Sequence, residues 1–347
     1  MMELIDGISV IIPVYNGELY LEKLVENIIN QCCDNVIAII SDNGSSDKTH
    51  EIMFSLKEKY TNRVKLVFPV DYETRWLPSN SRQQGMDAVE TQFFTFCDVD
   101  DQWEWQELQR IAVEMKEEEI DVFGGGYYFR DTNWNIVGDK RHEYKDAGLE
   151  NAKYFLDCMC QPRVYRTTYI RDNGISFPKQ SYFEDACFSL ACLSKGGKIK
   201  VDENCIYNYL INPNSFTHKK HTICKNNLPI AWIKEFTSDV VNVEDEIYDR
   251  LVNWRCFMLI SEIIYQPFII RIARYSIRDA WNTAKELRNV IKENIDLDSC
   301  RVVERQIKRQ RILPYKYCVI TKFSRILYKL SLDRIAAAIC AIVGKLF

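Results

Sequence analysis

The chain has 347 residues, 47% of them hydrophobic and 27% charged. This excludes a disordered chain, a collagen and a coiled coil, and fits either one large domain with an appendage or two domains. The net charge of −4 conceals a split: residues 301–347 hold eleven Lys and Arg against Glu304 and Asp333, a net +9 that leaves −13 on the first 300. A basic end on an acidic body argues against general nucleic-acid binding and for a local anionic partner, a membrane surface first.

In chain order, Ile8 to Ile12 is a β-branched run closed by Pro13. Leu21, Leu24, Val25, Ile28 and Ile29 share one face of a predicted helix over 19–29. A second strand is expected at 36–40, a helix over 48–60 with Asp47 as its cap, a third strand at 64–68, a helix near 80–90 and a strand at 93–97. Apolar runs alternating with amphipathic helices predict an α/β fold, a parallel sheet covered on both faces. Such sheets bind ligands beyond the carboxyl ends of their strands. The loops Pro13-Val14-Tyr15-Asn16, Ser41-Asp42-Asn43-Gly44 and Asp98-Val99-Asp100-Asp101 should therefore converge. Short strands near 120–130 and 205–210, with a helix after Asp185, follow, and the chain reads as mostly helical from about 225.

The thirteen cysteines include no CxxC pair, and the acidic start Met1–Asp6 lacks the basic and apolar segments of a secretory signal. Free thiols in a reducing compartment are the expectation. Cys158 and Cys160 form a CxC without a matching second ligand pair, so no zinc site is expected.

The 98–101 segment places three carboxylates directly after an apolar strand. Oxygen ligands of this kind suit Mg²⁺ or Mn²⁺ bridging to phosphates, although a solvated acidic turn or helix cap has the same composition. Asp42 can accept hydrogen bonds from a base edge, and Asn43-Gly44 supplies a tight turn. Tyr72, Arg75, Trp76 and Trp103 to Trp105 include rings that can either stack on a base or sugar or pack in a core.

ISVIIPVYN at 8–16, SDNGSSD at 41–47, SRQQG at 81–85 and CDVDD at 97–101 together resemble the family 2 glycosyltransferases with the GT-A fold. Arg163-Val164-Tyr165-Arg166, Gly174 to Pro178 and Phe183-Glu184-Asp185 continue the resemblance, which covers about residues 8–218. Asn43 stands where the family has a second Asp, and Gln83-Gln84 depart from its ARN-G segment. The resemblance implies a GT-A domain over 1–222, with a donor half of about 1–101 and an acceptor half of about 102–222. A helical region at 223–347 would carry a basic amphipathic tail from about 312.

The same resemblance implies roles. Pro13, Val14, Tyr15, Asn16, Asp42, Arg82, Asp98, Val99 and Ser215 would bind a nucleotide-diphosphate sugar, most often a UDP-sugar. Asp100 and His218 would ligate Mn²⁺ or Mg²⁺; Asp185 would be the general base and Glu184 would hold the acceptor. The absence of a QxxRW motif implies transfer of one sugar per encounter. The expected setting is bacterial surface polysaccharide or lipo-oligosaccharide assembly on a saccharide or lipid-linked acceptor, in the cytoplasm at the inner face of the membrane. A sugar-phosphate nucleotidylyltransferase and a non-catalytic binding protein are the alternatives. In the tail, Val319, Phe323, Ile326, Leu327 and Leu330 fall on one face of a helix from Pro314 to about Leu330, with Lys322, Arg325 and Lys329 on another. Ile335–Val343 is too short to span a bilayer, so the tail should lie in a membrane interface or pack on the body.

Overall fold

The computed structural model describes residues 4–69, 77–141, 159–179, 181–213, 215, 221–222, 228–239, 246–269, 273–274, 276–310 and 315–346. These fall into two compact units. One contains the described residues of 1–143, 159–180 and 197–212, and the other those of 181–196 and 213–347. The segment beginning at Glu184 falls in the same unit as the helical C-terminal residues.

The first unit opens with β1 (Ile5–Val14), α1 (Leu21–Gln31), β2 (Val36–Asp42), α2 (Thr49–Lys59), β3 (Val64–Val67), α3 (Pro78–Asp87) and β4 (Thr91–Phe96). The short β5 (Gln102–Trp103), α4 (Glu107–Glu117), β6 (Val122–Arg130), β7 (Ile136–Lys140), β8 (Arg163–Arg166), α5 (Thr167–Asp172) and β9 (Ile199–Leu210) complete it. Nine described strands form one sheet in the order β3-β2-β1-β4-β8-β6-β9-β5, with β7 on β6. The first four pair in parallel, while β8 runs antiparallel to both β4 and β6. The parallel part follows from composition: Val10, Ile11, Ile12, Ala38, Ile39 and Ile40 are buried, as a strand covered on both faces requires, while the antiparallel β8, β7 and β5 make the sheet mixed where a parallel one was expected. Leu21, Leu24, Val25 and Ile28 of α1 are the buried stripe the spacing predicted.

Register decides where the loops go. Val14 pairs with Asp42 across β1 and β2, and Ile11 pairs with Phe96 across β1 and β4. The carboxyl ends of β1, β2 and β4 thus share one sheet edge. Of the two roles open to the aromatic residues, the tryptophans at 103 and 105 take core packing. Trp103 and Trp105 are 2% and 3% exposed, and Trp103 donates from Nε1 to the Phe96 carbonyl at 3.0 Å, so they pack in the core. Tyr72, Arg75 and Trp76 lie outside the described residues.

The second unit contains α6 (Glu184–Ser194), α7 (Ile230–Asp239), α8 (Glu246–Ile269), α9 (Ile277–Asn294), α10 (Leu297–Gln310), α11 (Tyr315–Lys329) and α12 (Asp333–Leu346), with a small parallel pair of β10 (His221–Thr222) and β11 (Ala273–Arg274). Leu251, Val252, Trp254, Phe257, Ile260 and Ile263 bury α8 as the unit's central helix, against which α6, α10 and α12 pack. Among the described residues no helix is long and apolar enough to cross a membrane.

Candidate active site

The β1–α1 and β2–α2 loops are tied together by main-chain donors. The Asn43 N–H donates to the Val14 carbonyl at 2.8 Å, the Asn16 N–H to Ser45 Oγ at 2.9 Å and the Gly17 N–H to Thr49 Oγ1 at 2.8 Å. Asn16 sits in the left-handed region at φ 52°, which asparagine tolerates, and its Oδ1 accepts from the Ser46 N–H at 2.8 Å. A Cβ at Gly17 would lie 2.5 Å from Val14 Cγ2 and 3.1 Å from Val99 Cγ2. Only a glycine lets the 14–17 loop pass this close to the loop after β4. Pro13 and Val99 are half-buried, Val14 is buried, and Tyr15 and Asn16 are exposed.

Asp42 differs from the expectation. Its side chain is fully buried, and Oδ2 accepts from the Gly44 N–H at 2.8 Å while Oδ1 accepts from the Ser45 N–H at 3.1 Å. His50 Nε2 lies 2.9 Å from Oδ2. The carboxylate thus holds its own loop together instead of presenting an open edge. Sequence reading missed His50, the second residue of the following helix; its only signal was a histidine eight residues after Asp42.

The acidic loop is anchored from three directions. Arg82, buried on α3, donates from Nη2 to Asp98 Oδ1 at 2.9 Å. Asp100 Oδ2 accepts from Asn212 Nδ2 at 3.0 Å. Asp101 Oδ2 accepts from the Tyr207 hydroxyl at 2.8 Å, and Oδ1 accepts from the Leu210 N–H at 2.8 Å. Burial pushes the Asp101 carboxyl well above the usual range, and Asp98 and Asp100 add to that. Burial also raises Asp100; the Asn212 hydrogen bond opposes this and the charge of Asp98 adds to it. Of the three carboxylates, Asp101 is structural, Asp98 is ion-paired, and Asp100 has a neutral amide as its hydrogen-bond partner.

Among the described residues no three His, Cys, Asp or Glu side chains are already placed to hold a metal ion. A Mg²⁺ or Mn²⁺ ion bound through one or two carboxylates plus substrate phosphates needs no such cluster. Asp100, desolvated and bonded to a neutral amide, fits that donor set. His218 lies outside the described residues. Ser215 is half-buried in the second unit. Glu184 and Asp185, also in the second unit, are half-buried in the first turn of α6 behind Phe183, whose φ is 65°. A helix N-terminus favours carboxylates in that position.

A parallel-sheet edge with these three interlocked loops defines the nucleotide-sugar transferase class of α/β fold, GT-A. The chain belongs to glycosyl transferase family 2, whose profile matches residues 9–174. An uncharacterized glycosyltransferase of Haemophilus influenzae is 34% identical over 206 residues, 58% of this chain and 76% of that protein. The uncharacterized glycosyltransferase EpsJ of Bacillus subtilis is 25% identical over 220 residues, 60% of this chain and 62% of EpsJ, so the chain spans less than two thirds of that relative. The Staphylococcus aureus TarS 1–349 structure in complex with UDP-GlcNAc superposes with TM-score 0.68 at 17% identity, covering 98% of this chain and 91% of that one. The likeness extends through the helical C-terminal region and concerns the fold.

Proposed function

We propose that the protein is an inverting glycosyltransferase that moves one sugar from a nucleotide-diphosphate sugar, in the first instance a UDP-sugar, to a saccharide or lipid-linked saccharide acceptor. The reading rests chiefly on the three-loop lock around the acidic segment, with Arg82 on Asp98 and Asn212 on Asp100. Asp98 and the Pro13–Asn16 loop bind the nucleoside, and Val99 and Ser215 border the donor. Asp42 contributes by holding the β2–α2 loop in its bound shape. Asp100, with His218, holds Mn²⁺ or Mg²⁺, which when bound offsets the charge on the diphosphate leaving group. Asp185 accepts the acceptor hydroxyl's proton as that oxygen bonds to the anomeric carbon and the bond to the diphosphate breaks. Glu184 holds a neighbouring acceptor hydroxyl. A single base opposite the leaving group inverts configuration.

The same proposal puts the protein at the inner face of a bacterial membrane. Its support is the outward side of α11 and α12. Val319, Phe323, Ile326 and Leu330 are 45%, 56%, 44% and 62% exposed, beside exposed Lys322 and Lys329. Two details differ from the expected amphipathic face: Leu327 points inward, and Arg325 pairs with Glu304 of α10. The test of the transfer reading is a thermal-shift panel of nucleotide sugars with and without Mn²⁺. One donor at 100 times its Kd should stabilise the fold by about 2.7 kcal/mol, and a panel without any shift would overturn the reading.

A further inference from the structure

Beyond the transfer site, the first unit holds a cavity of about 270 Å³ on the other side of the β5–β9 ribbon. Tyr207 and Asn208 are consecutive in β9 and so project to opposite faces. Tyr207 reaches Asp101 and the acidic loop, whereas Asn208, paired in register with Gln102, lines the cavity. The volume is near the roughly 300 Å³ lower end of small-ligand pockets, which suits a single ring and not a nucleotide sugar.

The lining decides the ligand class. It contains the amides of Gln31, Gln102, Gln106 and Asn208, one carboxylate, one guanidinium and tryptophans, and no aliphatic residue among the described ones. Glu104 and Arg130 are bridged by Asn208, which donates from Nδ2 to Glu104 Oε1 at 2.9 Å and accepts from Arg130 Nε at 2.7 Å. The two charges compensate, so a phosphate meets the carboxylate and a lone cation meets the guanidinium. An apolar ligand leaves the amides without partners. A neutral polyol has alternating hydroxyl donors and acceptors for planar amide groups and C–H faces for an indole.

Trp134 supplies the accessible indole, since Trp103 and Trp105 are buried. Its φ of 64° is costly for a bulky residue and is maintained by its surroundings. The Trp134 N–H donates to the Asp131 carbonyl at 2.9 Å, Asp131 Oδ1 accepts from Asn133 and Asn135, and Arg130 Nη1 donates to the Trp134 carbonyl at 2.9 Å. The residue that completes the Glu104–Asn208–Arg130 chain thus also holds the main chain of Trp134 at the cavity wall. We infer that this cavity is a saccharide subsite for one neutral sugar ring, separate from the donor loops.

The experiment is saturation-transfer NMR on the full-length protein with N-acetylglucosamine, glucose, chitotriose and cellotriose, with and without saturating UDP. The expected result is transfer to at least one sugar that persists with UDP. Trp134→Ala, and Gln106→Trp to fill the exposed rim, should each weaken it about tenfold with melting temperature and donor hydrolysis unchanged. A trisaccharide binding more tightly than its monosaccharide assigns the subsite to a ring within a chain, and equal binding assigns it to the free sugar. Absence of any signal, displacement by UDP, or wild-type binding by both variants would overturn the inference. Donor hydrolysis is read independently, so failure here leaves the transfer reading intact.

Discussion

The hydroxyl of Tyr207 both donates to Asp101 Oδ2 at 2.8 Å and accepts from the Asp98 N–H at 3.3 Å, so one side chain fixes both ends of the acidic loop. Asp101 is 2% exposed, and a buried carboxyl without its partners is expensive. Tyr207→Phe removes the bond to Asp101 and leaves only the Leu210 N–H. The variant should lose about 1.5–3 kcal/mol of stability by urea unfolding. It should also bind the donor more weakly, because Asp98 and Asp100 share the loop. Unchanged unfolding with weaker donor binding would assign Tyr207 to the ligand instead.

Asp100→Ala should reduce donor turnover by at least about 10²-fold while the protein stays folded. Asn212→Ala acts through Asp100, so it should weaken apparent Mn²⁺ affinity by roughly 10–100-fold and be rescued in part by excess metal. The measurement is donor hydrolysis titrated with Mn²⁺ after EDTA treatment. Full wild-type activity in metal-free buffer would remove the role given to Asp100.

Asp185→Asn keeps the shape at the start of α6 and removes the proton acceptor. It should retain nucleotide-sugar binding and lose transfer by about 10²–10⁴-fold. Calorimetric donor binding and a transfer assay on the same preparation separate the two. A variant transferring at near wild-type rate shifts the assignment to Glu184.

Asp47 gives a pH-dependent test. Its Oδ1 accepts from the Thr49 N–H at 3.0 Å and its Oδ2 from the Glu18 N–H at 3.2 Å. Desolvation works to raise its pKa, but the hydrogen bonds from Thr49 and Glu18 outweigh it and hold the carboxyl below the usual range. The folded pKa is depressed, so the contribution is present above the unfolded value and is lost as pH falls through the folded one. Asp47→Ala should cost about 1 kcal/mol at neutral pH, and the gap to wild type should close only in strong acid. Urea unfolding across the acidic range follows it; a gap independent of pH would contradict the account.

The donor loops were legible because apolar runs that end in polar clusters mark strand ends directly. The strand expected at 36–40 is present, and the observed β2 runs two residues further, through Ser41 and Asp42. What Asp42 touches was not legible. Its burial depends on His50 and on the Gly44 and Ser45 amides, a contact set that appears only once the loop closes. Tyr207 and Asn212 were hidden for a different reason, being more than 100 residues from the carboxylates they hold. The role of Trp103 and Trp105 stayed open in the sequence because an aromatic beside an acidic loop has the same pattern whether it faces a sugar or the core, and their burial decides for the core.

The last prediction concerns α11 and α12. Each of these helices has an inner side that docks within the second unit. Thr321, Ser324 and Leu327 are buried, Arg325 pairs with Glu304, and Arg288 pairs with Asp333. The outer side carries Phe323, Ile326, Leu330, Ile335 and Ile339, all more than 40% exposed. Inner docking positions the face, and the net +9 of residues 301–347 supplies charge complementarity to anionic lipid. Each basic residue near such a surface is worth about 1 kcal/mol, and salt screens it. The full-length protein should therefore sediment with vesicles rich in anionic lipid and much less with neutral ones, and salt should release part of it. Phe323→Ser with Ile326→Ser should abolish sedimentation while the melting temperature and donor hydrolysis are unchanged, because those side chains already face water. Truncation at residue 314 is the less discriminating variant: it also removes the Glu304 and Arg288 pairs, and the melting temperature should fall with it. Equal binding to neutral and anionic vesicles would remove the electrostatic half of the argument. A double-serine variant that still sediments would remove the apolar face as the anchor.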